Sequence, residues 1–306
     1  MKKIFFVLAA FVWVLPTQAC DVCGCASSMA SFPGTLNRQS QFSLGYQYLH
    51  FSSQHLPSIL QGQAGIERKS QEYFQVVSAN ARYSFHPKWQ AVLQVPVQFV
   101  SKQDGAIHTQ SQGLADAQLG IARYFSGDSL GVLKSWTIMT EYDIELPTGR
   151  FSHADISEQT SRYMLPGSGS IDHIFRINMQ GSSMHWIYRI GMMYRLNGMG
   201  PDNLAWGDRT QVFAEAGRLF ETKKMHQWYA SLGYMFEHAS SDYQNNLKLP
   251  FSGYGLGQLK ASVQWRKNQF AVAALAFLPV HGKMAEGRVK IHQSLQFQLS
   301  YYPKFL

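Results

Sequence analysis

The cysteines of this chain lie close together near its start, at Cys20, Cys23 and Cys25. Three thiolates at C-x-x-C-x-C spacing could hold Cu(I) or Zn(II), with a fourth ligand from elsewhere in the chain. In an oxidising compartment the same thiols would instead form one disulfide and leave one cysteine over. Lipid attachment at Cys20 is a third interpretation, although Thr17-Gln18-Ala19 is a poor lipoprotein signal. The sequence leaves all three open.

A second set of residues with chemical potential is charged. Glu141, Asp143 and Glu145 alternate with apolar residues, so that a β-strand would present all three on one face. If the strands form a barrel, these acids would create either a charged constriction that selects solutes or a salt-bridged network that fills the lumen. A barrel of twelve strands is small enough to be filled by its own side chains, which favours the network. Neighbouring segments add charges to the same interior: Asp116, Asp172, Arg176, Arg189 and Arg195.

The alternation that places these charges recurs through the rest of the chain. Residues 136–146 put tryptophan, isoleucine, tyrosine and leucine on one face and the three acids on the other. About twelve such segments follow one another, with the length that a tilted membrane-crossing strand needs. Long predicted connections, such as 102–112 and 148–169, alternate with short ones, such as 86–88. We therefore predict an all-β protein whose residues 41–306 form a transmembrane antiparallel β-barrel of about twelve strands.

The N-terminus predicts export. Lys2 and Lys3 precede an apolar run over residues 4–15 and a small-residue end at Ala19, which is typical of a secretory signal peptide over residues 1–19. The mature chain would begin with a cysteine-bearing segment, 20–40, that lies in the periplasm or plugs the lumen. The aromatic C-terminus, 301–306, resembles the terminal strand signal of assembled outer-membrane barrels. It therefore predicts the barrel-assembly machinery as a partner.

Composition excludes some classes of function. The formal net charge is +8, but lysine and arginine are scattered, which argues against nucleic-acid binding. Scattered positive charge would suit lipopolysaccharide phosphates, anionic solutes and the lipid of an outer membrane. The sequence contains no G-x-S-x-G, H-E-x-x-H or nucleotide-binding loop. We therefore expect no enzyme activity and no cofactor, apart from Cu or Zn at the cysteines.

Three segments resemble a known family of outer-membrane proteins. Residues 113–120 match a G-x-x-D-x-x-x-G strand, 146–149 read L-P-T-G, and 167–172 read G-S-G-S-I-D. In this order they resemble the MetA-pathway of phenol degradation family. The start at Cys20 resembles members from Bacteroidetes-type bacteria. The resemblance implies a barrel that passes small, often aromatic or apolar, molecules across the outer membrane.

The sequence thus predicts a channel for small solutes in a bacterial outer membrane, with the interior charges along the solute pathway. One alternative is an envelope metal-handling protein that uses the cysteines. Another is a closed structural barrel whose loops bind a partner.

Overall fold

The computed structural model describes residues 36, 38–55, 68–151, 162–222, 226–249, 252–284 and 288–304, and every structural statement refers to these ranges. The predicted signal peptide, 1–19, and the cysteines Cys20, Cys23 and Cys25 lie outside the described residues. Among the described residues, no helix is long and apolar enough to cross a membrane.

The described part of the chain is built from strands, with short 3₁₀ turns at Arg162–Met164 and Pro201–Asn203. In chain order the strands are β1 (Gln41–His55), β2 (Arg68–His86), β3 (Trp89–Asp104), β4 (Ile107–Leu114), β5 (Ala117–Leu130), β6 (Leu133–Leu146), β7 (Asp172–Ser183), β8 (Trp186–Leu196), β9 (Leu204–Ala205), β10 (Arg209–Glu221), β11 (His226–Ala239), β12 (Tyr243–Gln244), β13 (Leu247–Lys248), β14 (Tyr254–Lys267), β15 (Phe270–Met284) and β16 (Val289–Tyr301).

Antiparallel pairing closes the long strands into a barrel of twelve staves, which confirms the predicted fold class. The first and last strands, β1 and β16, pair in register from Phe42 opposite Tyr301. One stave is made of two pieces, because β4 and β5 both pair with β3. The short strands β9, β12 and β13 form a separate small sheet in the connections.

The two ends of the barrel differ in their connections. At one end, here called the turn end, tight turns at 87–88, 131–132, 184–185 and 268–269 join neighbouring staves. At the opposite end, called the loop end, the connections include 147–171, 197–208 and 240–253. This is the alternation of short and long connections that outer-membrane barrels show.

The prediction of a long loop over residues 102–112 is wrong. Strands β3 and β4 continue as a paired hairpin, with Lys102 opposite Thr109 and Asp104 opposite Ile107, and turn over two residues. Polar residues occupy both faces of much of this hairpin, so the apolar alternation stops although the backbone pairing continues. A prediction based on alternation therefore ends both strands too early.

The outward face of the barrel is apolar on every side. Large side chains stand exposed there at alternate positions, as with Phe42 and Leu44 on β1 or Phe297 and Leu299 on β16. Tryptophans crowd the turn end of this face. There Arg123 lies over the Trp89 ring, 5.0 Å from its centroid. Such amphipathic rings suit a boundary between lipid and water. The tryptophans of this rim are Trp89, Trp136, Trp186, Trp228 and Trp265.

Candidate functional site

The eight charged residues predicted to line the interior all lie inside the barrel and are all buried. Arg176 on β7 meets two acids of β6: its guanidinium contacts Asp143 and lies 2.9 Å from a Glu141 oxygen. Glu141 also accepts a 2.5 Å hydrogen bond from Arg82, which reaches across from β2. The strand alternation placed the acids correctly, but it did not single out Arg82.

A second group of ion pairs lies nearer the loop end. Arg195 on β8 contacts Glu145 and lies 2.8 Å from an Asp172 oxygen. Asp172 also accepts hydrogen bonds from the Ser170 hydroxyl at 2.7 Å and from the Gly198 amide at 3.0 Å. These contacts tie the start of β7 to the connection that follows β8.

A third group includes residues that the sequence analysis did not select. Glu215 on β10 lies 2.8 Å from Arg189 and 2.9 Å from Lys260. The Phe213 ring lies beneath both cations, with Lys260 Nζ 4.8 Å and Arg189 Cζ 5.7 Å from its centroid. The alternation of β10 and β14 could have identified Glu215 and Lys260 as inward-facing residues.

We call the members of these three groups the charged network. It contains five basic and five acidic side chains, so its formal charges cancel. The favoured interpretation of the interior charges, a salt-bridged network that fills part of the lumen, agrees with this geometry. The network consists of Arg82, Glu141, Asp143, Glu145, Asp172, Arg176, Arg189, Arg195, Glu215 and Lys260.

Asp116 has a different role from the other predicted lumen acids. It lies at the break between β4 and β5, and its carboxylate accepts hydrogen bonds from the amides of Gly149, at 2.8 Å, and Ser168, at 2.6 Å. A Cβ added to Gly167 would lie 2.6 Å from the Gly149 carbonyl, so the two glycine segments pack without side chains between them. The three family-like motifs therefore meet at one point, which we call the bulge knot. Their role is architectural, as the sequence analysis inferred.

The lumen near the loop end is lined by apolar side chains, and we call this region the vestibule. Phe51, Phe74 and Phe277 are each at most 2% exposed and belong to one continuous cluster. Phe51 and Phe74 meet edge to face, with ring centroids 5.5 Å apart. The strand residues of the vestibule are Leu49, Phe51, Phe74, Val76, Val100, Met235, Ala239, Tyr254, Leu256, Leu275, Phe277, Met284, Val289 and Ile291.

A segment of the long connection between β6 and β7 packs into the vestibule. Tyr163 and Met164 are 5% and 0% exposed and are part of the apolar cluster. The Tyr163 hydroxyl donates a 3.1 Å hydrogen bond to Glu72, and its ring centroid lies 6.4 Å from that of Phe74. Irregular connections carry no periodic signal, so the sequence analysis missed this inward-folded segment.

The chain before β1 enters the lumen from the turn end. Leu36 packs against a small apolar cluster around Val92 and Tyr124, and its amide donates to Gln180 at 2.8 Å. The carbonyl of Arg38 accepts a 2.6 Å hydrogen bond from Ser84. These contacts place the end of the predicted 20–40 segment inside the barrel. The position of its cysteines, and their metal, disulfide or lipid chemistry, stays a prediction.

Within the described ranges, no group of three or more histidine, cysteine, aspartate or glutamate side chains is arranged to hold a metal ion. The inward-facing acids of the charged network are instead neutralised by arginine and lysine.

The geometry defines a closed antiparallel barrel with an apolar outer face and a largely polar lumen, and comparison with solved structures shows the same fold. The structure is similar to that of the COG4313 outer membrane channel from Pseudomonas putida F1, with a TM-score of 0.63 at 8% identity, over 87% of this chain and 96% of that chain. More distantly, it is similar to the TodX deltaS2S3 mutant monoaromatic hydrocarbon channel, with a TM-score of 0.40 at 12% identity, over 87% and 91% of the two chains.

A third similar structure is the beta domain of the Bordetella autotransporter Brka, with a TM-score of 0.42 at 11% identity, over 86% of this chain and 100% of that chain. No family model matches the chain, and no curated protein matches it. The comparisons thus support the barrel fold, whereas the resemblance to the MetA-pathway of phenol degradation family stays a prediction.

Proposed function

We propose that this chain is a bacterial outer-membrane channel for small, largely apolar solutes. The observation that carries the proposal is the vestibule, because a lumen that conducts only water-soluble molecules gains nothing from a continuous apolar lining. The exposed apolar face and the tryptophan rim support a position in lipid. In this orientation the turn end faces the periplasm and the loop end faces outward.

The charged network supports passage of uncharged molecules. Its cations and anions are paired and buried, and the formal charges cancel, so it offers no net field that would concentrate ions of one sign. The opposite side of the lumen carries neutral polar residues on β1, β3 and β16. A solute leaving the vestibule would pass between the two sides. The neutral side chains include Gln47, Gln94, Gln98, Gln296 and Gln298.

Two segments must move for a solute to cross. The inward-folded residues Tyr163 and Met164 occupy the vestibule, and the chain around Leu36 occupies the turn end. Both belong to connections or to the chain end, whereas the staves are held by continuous ladders. Connections of this kind open at lower free energy than paired strands do.

Uptake of the apolar dye N-phenyl-1-naphthylamine by cells that make the protein tests this proposal. We expect faster uptake than in cells without the protein. The double variant Tyr163→Ala/Met164→Ala should accelerate uptake severalfold further, because it empties the vestibule without altering a stave. Tyr188→Ala is the matched control, since Tyr188 is an exposed residue of the outward face.

The same protein should show little ion conductance in planar bilayers, because the charged network is neutral overall. Equal dye uptake with and without the protein, and no gain in the double variant, would contradict the channel and favour a closed structural barrel. Large, ion-selective conductance steps would instead indicate a hydrophilic pore and would overturn the preference for apolar solutes.

A further inference from the structure

One buried amide at the edge of the vestibule is not satisfied by the protein. Gln258 on β14 is 0% exposed, and neither its side-chain oxygen nor its nitrogen has a hydrogen-bond partner. A buried polar group without a partner costs about 1–3 kcal/mol, and nearly all such groups in folded proteins are paired. An amide with both ends unpaired therefore indicates a place that another molecule completes.

The surroundings of Gln258 are apolar toward the loop end. It follows Leu256 on the inward face of β14, and its neighbours across the sheet are Met235 on β11 and Pro279 on β15. Leu256 and Met235 belong to the vestibule. A proline has no backbone amide hydrogen, so Pro279 offers no donor to this side chain. The carboxamide thus adjoins an apolar pocket wall.

Toward the turn end, the next inward residue on β14 is Lys260, whose charge is already engaged. Its Nζ lies 2.9 Å from Glu215 and 4.8 Å from the centroid of the Phe213 ring. Phe213 in turn packs against the vestibule. Gln258 therefore stands at the boundary between the apolar lining and the charged network, with a neutral donor and acceptor.

Two further amides continue this neutral polar surface. The side-chain nitrogens of Gln47 on β1 and Gln298 on β16 are buried and have no hydrogen-bond partner. Gln47 lies opposite Gln296 on β16, two residues from Gln298 along that strand. Unpaired donors therefore recur on the neutral side of the lumen, away from the ion pairs.

We propose that Gln258 is the polar recognition group of a solute-binding site at the floor of the vestibule. The ligand is a small uncharged molecule with an apolar body, of the size of one aromatic ring, and one hydroxyl, carbonyl or amide group. The apolar body takes the place of the inward-folded Tyr163 and Met164, and the polar group pairs with the carboxamide. A charged head group is disfavoured, because a neutral amide does not offset the loss of its hydration. This inference rests on the proposed channel function and adds a polar group to its solute.

The test compares fluorinated probes by ¹⁹F NMR on the full-length protein in phospholipid nanodiscs, with empty nanodiscs subtracted. The probes are 4-fluorobenzyl alcohol, 4-fluorotoluene and 4-fluorobenzoate. One added hydrogen bond should make the alcohol bind about five- to tenfold more tightly than the toluene, and benzoate should bind most weakly. Gln258→Leu should reduce the ratio of the two affinities to about one, as expected when that hydrogen bond is lost. Gln264→Leu, two inward positions beyond Lys260 on the same strand, is the matched control and should keep the preference.

Equal affinities for alcohol and toluene in the wild type, or an undiminished preference in Gln258→Leu, would overturn the inference and leave the channel for apolar solutes standing. Absence of saturable binding by any probe would mean that water alone completes Gln258, which also overturns it. Tighter binding of benzoate would assign the site to Lys260 instead. The channel function itself fails through the dye-uptake experiment, which does not depend on Gln258.

Discussion

The charged network and the vestibule are both buried inside one barrel, yet they are held together in opposite ways. In the network, Arg176, Arg189 and Arg195 each contact carboxylates on neighbouring strands. In the vestibule, apolar side chains pack around an inserted connection, and Gln258 at its edge has no partner. The difference indicates that the network is structural and fixed, whereas the vestibule is the part of the lumen that can exchange its contents.

The comparison also separates two kinds of cost. Removing one member of a buried ion pair leaves an uncompensated charge and is strongly destabilising. Removing side chains of an inserted connection leaves space that other atoms, water or a solute can fill. Variants in the two regions should therefore differ more in stability than their equal burial suggests.

The largest expected effect is in the network. Arg176→Met takes the cation from Asp143 and one of two cations from Glu141, and should lower the free energy of unfolding by about 3–5 kcal/mol. Urea unfolding in lipid vesicles, followed by heat-modifiable gel migration, measures the change. The exposed Arg123 provides the control, and Arg123→Met should cost about 1 kcal/mol or less.

A compensating variant sharpens this test. Neutralising the two acids as well, in Arg176→Met/Glu141→Gln/Asp143→Asn, should recover much of the loss, because neither carboxylate then remains buried and charged beside the introduced methionine. If Arg176→Met unfolds at the same urea concentration as Arg123→Met, the network does not hold the barrel together and the proposed contrast is wrong.

An intermediate effect is expected at the bulge knot, which anchors the long connection to the barrel. Gly167→Ala places a methyl group 2.6 Å from the Gly149 carbonyl and should cost about 1–3 kcal/mol. It should also expose residues 147–171 to limited proteolysis. Gly105→Ala, with open space around the new methyl but a φ of +58°, should cost about 1–2 kcal/mol without new cleavage there. Resistance of Gly167→Ala to protease would argue against an anchoring role.

The smallest effect is expected in the vestibule. Tyr163→Phe removes the 3.1 Å hydrogen bond to Glu72, which retains a 2.9 Å bond from Ser70. We expect a loss of about 1 kcal/mol, seen as roughly fivefold faster hydrogen exchange at residues 162–166. Exchange in the staves should not change. An equal acceleration across β6 and β7 would show that the inserted connection is part of the rigid wall.

Much of the wall could be predicted from the sequence, because lipid and lumen impose opposite demands on alternate residues. Residues 136–146 show this clearly: Glu141, Asp143 and Glu145 are all below 5% exposed, as their spacing requires. The signal weakens where the lumen itself is apolar. In β15 the inward residues Leu275 and Phe277 are as apolar as the outward Leu278, so this segment alternates poorly.

The contacts across the lumen could not be predicted. Arg82 and Glu141 are 59 residues apart, and nothing in one sequence says which inward arginine meets which inward acid. The entry of Tyr163 into the vestibule depends on the shape of the closed barrel, which no local pattern encodes. The unpaired state of Gln258 is likewise visible only when its neighbours are in place.

The seam between β1 and β16 has a consequence for the order of folding. It joins the two ends of the barrel sequence, starting with Phe42 opposite Tyr301, whereas the other staves pair with near neighbours in the chain. Contacts between such distant residues form slowly, because a long stretch of chain must first be brought together. Leu36 lies inside the wall that this seam completes. The chain around Leu36 must therefore be drawn in while the cylinder is still open, or threaded through its mouth afterwards.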